Sequence, residues 1–322
     1  MSLLWRRSYL VPGNQLASDL RMAWEGILMR KLSGVLLVSF LVCGGSTYLT
    51  AQNDAEGNSP PKVLVIYRET VKPGKAGNAH LKTESAFVQA MASTKQPIHY
   101  LGMDSLSGTS RSLYFMGYPS FAEWEKENQR VQQDGVLSAS MDRAEAADGE
   151  LLSDFGVGVF AYQEEYSLPK PTEVGTMRYM DITAFHIRPG HRKEWTELAK
   201  MYQELYKKNV PDATWAVYEM MYGPESDLYL VITPLKSVGE IDQHMTADDA
   251  MMRGVSAGDR AKLASLTEAA VVSSVSNLYQ FNPRTSFPMD SWVKADPTFW
   301  RPKALAVKQT GKVAKADTLP AQ

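Results

Sequence analysis

The stretches Val71-Lys72-Pro73-Gly74 and Ile187-Arg188-Pro189-Gly190 decide the fold of this chain, because they are two copies of one motif. A second shared motif follows each of them at almost the same distance. It reads Gly108-x4-Leu113-Tyr114-Phe115 in the first copy and Gly223-x4-Leu228-Tyr229-Leu230 in the second. Two motifs repeated at fixed spacing indicate an internal duplication. The chain is therefore predicted to contain two copies of one structural unit.

Both copies carry the same predicted order of elements. Runs rich in branched and aromatic residues predict strands over 62–70, 100–104, 112–118 and 156–162, and again over 178–186, 215–221, 227–233 and 271–279. Between the first two strands of the second copy, Trp195, Leu198, Tyr202 and Leu205 recur at helical spacing, which predicts an amphipathic helix over 194–208. Second helical regions begin near residues 120 and 237. The predicted order is β-α-β-β-α-β, twice.

This order is that of a split βαβ, ferredoxin-like unit, in which four antiparallel strands carry both helices on one face. The free face of each sheet is apolar, so two units are expected to pack face to face into a barrel with the helices outside. With its V/I-K/R-P-G turn, aromatic helix and G-x4-L-Y motif, the chain resembles the dimeric α+β barrel superfamily, most nearly its NIPSNAP-like branch. The predicted fold class is α+β, with tandem ferredoxin-like repeats over 62–170 and 171–283 forming a pseudo-dimeric barrel.

The resemblance implies little about activity, because the superfamily includes cofactor-independent monooxygenases, haem enzymes and members with no assigned reaction. The 322 residues carry a formal net charge of −2, which gives no electrostatic footprint for nucleic acid. The sequence contains no Walker loop and no G-x-G-x-x-G opening a helix after a strand. Function must therefore be argued from individual side chains.

The N-terminal region has the pattern of a secretory leader. The pair Arg30-Lys31 precedes an apolar run over 32–42, and small residues follow before Gln52, so residues 29–51 are predicted to be a signal peptide. Residues 1–28 are interpreted as an upstream extension and 52–61 as a linker. The mature protein is expected to be periplasmic or secreted, with no membrane association after leader cleavage. A retained N-terminal anchor is the alternative.

The single cysteine, Cys43, lies in this leader. The mature chain is therefore expected to hold no disulfide, thiolate metal site or cysteine nucleophile. Acylation of Cys43 as a lipoprotein is a second alternative, although Val42 stands where a small residue is needed.

Alternation along the strands gives a predicted inside and outside for the barrel. The aliphatic set of Leu64, Ile66, Met180, Ile182 and Ala184 is predicted to lie under the helices, so that the intervening aromatic and polar residues face the barrel interior. Asp181 is the predicted catalytic carboxylate, because it lies in mid-strand among apolar neighbours while its counterpart in the first copy is Val65. The predicted ligand-binding residues of the interior are Tyr67, Tyr114, Tyr179, Trp215, Glu219 and Tyr229.

An aromatic interior with isolated acids has two interpretations. The rings can simply fill the barrel as a bulky core. Alternatively they can line a cavity for an apolar or aromatic small molecule that tyrosine hydroxyls and one carboxylate orient. A deep cavity that reaches Asp181 would favour the second interpretation.

The five histidines invite a metal or haem hypothesis. None of them belongs to an H-E-x-x-H motif, and no two histidines are four residues apart on a helix. The sequence therefore predicts no metal site and no cofactor. Haem needs a single proximal histidine, so a haem-binding barrel with His99 or His244 as the ligand stays open as an alternative.

The C-terminal extension, residues 284–322, contains Phe287, Trp292, Phe299 and Trp300 among Pro and Asp residues. These rings are predicted to lie extended across the barrel or to bind a partner, and residues 303–322 are predicted to be disordered. The preferred function is an exported small-molecule-binding protein or a cofactor-independent, monooxygenase-like enzyme, as a monomer or homodimer. The sequence does not decide whether the protein is an enzyme. The competing class is a non-catalytic interaction protein that uses the aromatic tail.

Overall fold

The computed structural model describes residues 59–170 and 172–301. The predictions for the upstream extension, the signal peptide and the disordered tail lie outside these residues, as does most of the predicted linker.

The described chain alternates strands and helices in the predicted order. The strands are β1 (Val63–Val71), β2 (Leu101–Ser105), β3 (Arg111–Tyr118), β4 (Leu152–Tyr162), β5 (Tyr179–Ile187), β6 (Ala216–Tyr222), β7 (Leu228–Leu235) and β8 (Val271–Phe281). The helices are α1 (Asn78–Ser93), α2 (Phe121–Gln133), α3 (Gly135–Gly149), α4 (Arg192–Asn209), α5 (Glu240–Gly254), α6 (Ala257–Ala270), α7 (Asp290–Ala295) and α8 (Pro297–Trp300).

The eight strands form one closed barrel in the order β1-β3-β2-β8-β5-β7-β6-β4, with antiparallel pairing throughout. Each half contributes its fourth, first, third and second strand in that order. The halves are joined by pairing of β2 with β8 and of β4 with β6. The predicted α+β barrel is confirmed, and closure leaves no free edge between the two halves.

The repeated Pro-Gly motif ends the first strand of each half in the same way. Gly74 and Gly190 have φ angles of 77° and 86°, which a residue without a Cβ adopts at low cost. Just before each turn the pairing register shifts, between Thr70 and Val71 in β1 and between His186 and Ile187 in β5. The motif therefore encodes a bulge followed by a left-handed turn.

The aliphatic set lies in the barrel interior, together with rings such as Phe115 and Phe281, contrary to the predicted orientation. A single buried cluster combines alternate residues of both halves, among them Leu64 and Ile66 of β1, Met180 and Ile182 of β5, and Ile232 of β7. The prediction that the aliphatic set lies under the helices is wrong. An eight-stranded barrel is only just wide enough for side chains to fill it. Branched and flexible side chains pack this narrow space.

Most of the rings that were predicted to face the interior lie on the opposite face of the strands, against the helices. Tyr67 and Tyr114 pack with α1 and α3 in the first half. In the second half, Phe185 and Tyr229 each pack against Trp195 of α4, with ring centroids 5.3 and 5.0 Å apart. Since the first and third strands of each half are mostly buried on both faces, hydrophobicity alone did not identify the inner face.

The C-terminal segment covers one end of the barrel. It folds into α7 and α8, and Trp292 and Trp300 are buried in the same cluster as the barrel interior. The indole of Trp300 donates to the carbonyl of Gly175 at 2.7 Å, and Arg178 pairs with Asp296. The prediction of an extended, partner-binding aromatic tail is corrected, because these rings are used within the chain.

Arg68 lies near the opposite end of the barrel. Its guanidinium is 3.4 Å from carboxylate oxygens of both Asp154 and Glu225. No helix of the described residues is long and apolar enough to cross a membrane.

Candidate functional site

A cavity of about 980 Å³ opens at the barrel end that α7 covers. Its floor is formed by interior residues of both halves, including Leu64, Phe115, Met180 and Ile232. Its rim is formed by the loops before β1, β2 and β6 and by α7. Cavities of this size, with apolar walls, are typical of small-molecule sites.

Polar side chains border this cavity at its rim, among them Lys62, Thr214 and Asp290. The hydroxyl of Tyr218 is already engaged, since it donates to the carbonyl of Pro61 at 3.0 Å. His99 stacks on Phe287 with ring centroids 5.2 Å apart, and its Nδ1 atom is buried without a hydrogen-bond partner among the described residues. Burial lowers the pKa of His99 despite nearby carbonyls and Asp290, so its imidazole is neutral at pH 7.

Asp181 does not line this cavity. It alternates with Met180 and Ile182 of the barrel interior, so its side chain projects to the helix side of β5. There its charge acts on His244 of α5, whose pKa is lowered chiefly by burial and partly restored by Asp248, Glu240 and Asp181. The prediction that Asp181 faces the barrel interior is therefore wrong.

The structure does not gather the six predicted ligand-binding residues into one site. Trp215 is the member that borders the cavity, at its rim. Tyr67 and Tyr114 lie under α1 and α3, and Trp215 and Tyr229 lie under α4. Glu219 accepts hydrogen bonds from Gln163 and Arg192 on the outside of β6. Tyr179 begins β5 on the same face as Asp181. Their predicted inward orientation is corrected with that of Asp181.

A second polar site lies between the sheet and the helices of the first half. It consists of Glu69 of β1, His80 and Glu84 of α1, and Asp148 of α3, which we call the acid–histidine cluster. These four residues are between 2 and 6% exposed, and one donor atom from each lies within 4.8 Å of all the others. The His80 Nε2 atom is 3.0 Å from Glu69, 3.6 Å from Asp148 and 3.9 Å from Glu84.

Burial and mutual repulsion disturb the protonation of this cluster. Burial, together with the charge of Glu69, raises the pKa of Glu84 to about 9, so this carboxyl is mostly protonated at pH 7. Burial also raises the pKa of Glu69, although the hydrogen bond to His80 opposes this change. Burial opposes protonation of His80, but the hydrogen bond to Glu69 and the charge of Asp148 outweigh it, and the His80 pKa is raised.

Several polar atoms around the cluster have no hydrogen bond among the described residues. They are Oε1 of Glu84 and the hydroxyls of Tyr100 and Tyr114. Tyr114 approaches Glu84 closely enough to interact electrostatically, but its hydroxyl does not meet the geometry of a hydrogen bond. By contrast, Asp148 accepts a hydrogen bond of 2.5 Å from Thr83. The buried polar groups of this cluster are thus only partly satisfied.

A smaller cavity of about 270 Å³ adjoins the cluster. His80 forms part of its wall, together with Asp104, Ser112 and the first residues of α1. Asp104 accepts hydrogen bonds of 2.7 Å from both Ser112 and Asn282. The imidazole can therefore be reached from outside the sheet–helix interface.

Sequence reasoning missed this cluster because it tested pairs of histidines only. His80 and Glu84 are four residues apart on α1, which places both on one helix face. That spacing was the available signal. Glu69 and Asp148 come from elements distant in the sequence, so no local pattern could have predicted their approach.

The remaining histidines have individual roles. His186 is 2.5 Å from Glu225, and His191 is 3.6 Å from Glu194. His244 lies on α5, outside the barrel, and is not part of the cavity wall. Of the two histidines considered for haem, His99 is the one at the cavity.

No family model and no curated protein matches this chain. Several solved structures do. An anthrone oxidase-like protein is 15% identical with a TM-score of 0.43 and covers 71% of this chain and 93% of its own. A chlorite dismutase variant from Candidatus Nitrospira defluvii is 11% identical, with a TM-score of 0.42, and the match covers 72% of this chain and 96% of that protein. A haem-binding protein from Thermus thermophilus is 10% identical, with a TM-score of 0.38, and the match covers 69% of this chain and 92% of that protein. The activities in these names belong to those proteins.

Proposed function

We propose that this protein binds an apolar small molecule in the cavity at the α7 end of the barrel. The observation that carries the proposal is a cavity of about 980 Å³ whose floor is apolar and comes from both halves. Transfer of apolar surface from water to such a floor contributes roughly 25 cal/mol per Å². The apolar floor favours a ligand whose inner part has few hydrogen-bonding groups, because a polar group there would lose its hydration without replacement.

Mass spectrometry of the protein purified under native conditions tests for a co-purifying ligand. A direct test uses the uncharged apolar fluorophore N-phenyl-1-naphthylamine with two matched variants. Ala216→Phe places a ring at a cavity-lining position, whereas Ala184→Phe adds the same ring at an interior position outside the cavity. Both variants overpack the barrel, at a cost of about 1–3 kcal/mol. Fluorophore titrations are therefore made well below both melting temperatures.

We expect Ala216→Phe to weaken fluorophore binding at least tenfold and Ala184→Phe to leave it within twofold of the wild type. Equal loss in both variants, or none in Ala216→Phe, would show that the fluorophore does not occupy this cavity.

The second candidate is a cofactor-independent enzyme, monooxygenase-like, in the same cavity. The observation that favours it is the neutral imidazole of His99, since a neutral histidine is the side chain most suited to take a proton near pH 7. His99→Gln should then abolish turnover of the co-purified ligand in air while its affinity changes little. Loss of affinity in proportion to turnover would instead identify a residue that only contacts the ligand.

Export and a tandem ferredoxin-like origin remain part of the proposal. The repeated strand order and the paired bulges support the origin, and the pattern of residues 29–51 supports export. The NIPSNAP-like resemblance rests on the two repeated motifs alone.

A further inference from the structure

We propose that the acid–histidine cluster binds a divalent first-row transition metal ion, of the class of Mn²⁺, Fe²⁺ and Zn²⁺. The site lies outside the barrel, between β1 and helices α1 and α3, and is separate from the apolar cavity. Nothing in the small-molecule proposal requires it.

The spacing of the donor atoms fits a coordination shell. With metal–ligand distances of about 2.1 Å, adjacent donors lie about 3.0 Å apart in an octahedron and about 3.4 Å apart in a tetrahedron. The His80 Nε2 atom lies 3.0 to 3.9 Å from one oxygen of each of the three carboxyl groups. Small side-chain adjustments would bring all four donors onto one ion.

The partly satisfied state of the cluster points to a missing ligand. Glu84 is 2% exposed, and its Oε1 atom makes no hydrogen bond among the described residues although it lies within reach of the other three donors. A buried polar atom without a partner costs about 1–3 kcal/mol. Burying three carboxyl groups together costs more unless positive charge compensates them. A dication would remove both penalties.

The donor set limits the class of ion. Carboxylate oxygens suit Mg²⁺, Ca²⁺ and Mn²⁺, whereas imidazole suits Zn²⁺, Fe²⁺ and their neighbours. Three carboxyl groups with one imidazole therefore favour ions that accept both donor types. Thr83, which donates to Asp148, would orient that carboxylate as an outer partner. The 270 Å³ cavity beside His80 would give the ion a path from solvent.

The fold itself does not require charged residues at this place. The repeated motif makes Phe185 of β5 the counterpart of Glu69 of β1. Phe185 is fully buried and packs against Trp195 of α4. The second half thus fills the equivalent sheet–helix interface with aromatic rings. Because apolar packing is sufficient at the interface of the second half, the charged cluster of the first half needs a different explanation. A bound ion supplies it.

The test uses the full chain, stripped with a chelator and then dialysed against Mn²⁺ or Zn²⁺ alone. We expect elemental analysis to find close to one ion per chain. We also expect the melting temperature to rise with the concentration of either ion and to respond much less to Mg²⁺ or Ca²⁺. A stripped protein that takes up neither Mn²⁺ nor Zn²⁺ would overturn the proposal.

The site is assigned with Glu84→Gln and Asp148→Asn, and Asp248→Asn is the matched control. Glu84→Gln keeps the size and shape of the side chain, so the variant is expected to fold. Asp248 is equally buried and accepts a hydrogen bond of 2.6 Å from Tyr206, but it lies in the second half.

We expect calorimetry to show at least about a tenfold loss of Mn²⁺ and Zn²⁺ affinity in each cluster variant and wild-type affinity in Asp248→Asn. Circular dichroism establishes that each variant is folded before titration. Unchanged affinity in a folded cluster variant, or an equal loss in the control, would overturn the assignment. If one cluster variant does not fold, the metal affinity of the other variant and the number of ions bound per wild-type chain decide whether the site is assigned correctly.

Discussion

At the scale of single residues, the face of β5 on which Asp181 lies determines which groups its carboxylate can contact. Asp181 was selected from the sequence because it interrupts an apolar strand, and that pattern is real. It does not say which face of the strand meets the barrel interior. Met180 and Ile182 face the interior, so Asp181 between them lies on the helix side, near His244. Its position makes it a poor candidate for contact with a ligand in the cavity.

Asp181→Asn is therefore expected to leave binding of the apolar fluorophore within twofold of the wild type. The substitution removes a charge but keeps the shape of the side chain, and the cavity wall does not include this position. Fluorophore titration and the melting temperature are measured on the same preparation. Abolished binding with an unchanged melting temperature would restore Asp181 as a ligand-binding residue.

His99 should make the stability of the protein sensitive to acid. Burial lowers its pKa below the ordinary value near 6.5 that applies in the unfolded chain. The unfolded state therefore binds the proton more readily, and stability falls as the pH drops through 6.5 towards the lower folded-state pKa. The raised pKa values of Glu84 and His80 act in the opposite direction, so the contribution of His99 is measured as a difference between two proteins. As the pH falls from 7.5 to 5.5, we expect the melting temperature of His99→Gln to rise relative to that of the wild type.

The control for His99 is His191→Gln, in a side chain that is 38% exposed at the start of α4. We expect His191→Gln to show the same pH dependence of the melting temperature as the wild type. An identical pH dependence of the melting temperature in the wild type and in His99→Gln would show that His99 does not contribute to it.

The candidate sites show how far sequence reasoning about residues extends. His80 and Glu84 share a helix face, and their spacing was readable in the sequence. Glu69 joins them because β1 pairs between β3 and β4, and Asp148 because α3 packs against α1. Such contacts depend on the tertiary fold. The apolar cavity also depends on the fold, since it results from how α7 closes the barrel end.

At the scale of elements, the strands were predictable because turns mark their ends. The Pro-Gly motifs end β1 and β5 within one residue of the predicted positions. The faces of the strands were not predictable in this way. Helices cover the outer face and the barrel encloses the inner one, so both faces are apolar. The choice between them depends on the width of the barrel, which no single strand encodes.

The short helices α7 and α8 are expected to act as a structural plug of the barrel end. Trp300 is 2% exposed, stacks near Trp292 with ring centroids 5.3 Å apart, and donates a hydrogen bond to Gly175. Trp300→Ala should lower the free energy of unfolding by about 3–5 kcal/mol, as other deletions of a buried ring do. Phe121→Ala is the control, because Phe121 is 41% exposed. Urea unfolding of the two variants measures the difference, and similar small losses would contradict a plug.

At the scale of the whole molecule, the destination of the protein remains a prediction from its leader. The charged pair, the apolar run and the small residues before Gln52 occur in the order that signal peptidase substrates show. We expect the mature chain recovered from a bacterial host to begin near Gln52. N-terminal sequencing of the periplasmic or secreted fraction measures this directly. An intact leader in the membrane fraction would favour the retained anchor.

The closed barrel makes each half dependent on the other. Residues 62–170 alone would leave the edges of β2 and β4 unpaired, because their partners β8 and β6 belong to the second half. They would also expose Leu64, Ile66 and the rest of the inner face, which pack against the second half in the complete chain. Unpaired edges beside an apolar face favour association.

We therefore expect this half to aggregate or to form a homodimer that rebuilds the barrel from two copies. Light scattering coupled to size exclusion distinguishes these outcomes, with residues 59–301 as the single-chain barrel reference. A folded, soluble monomer of the half would show that its inner face does not need a second sheet.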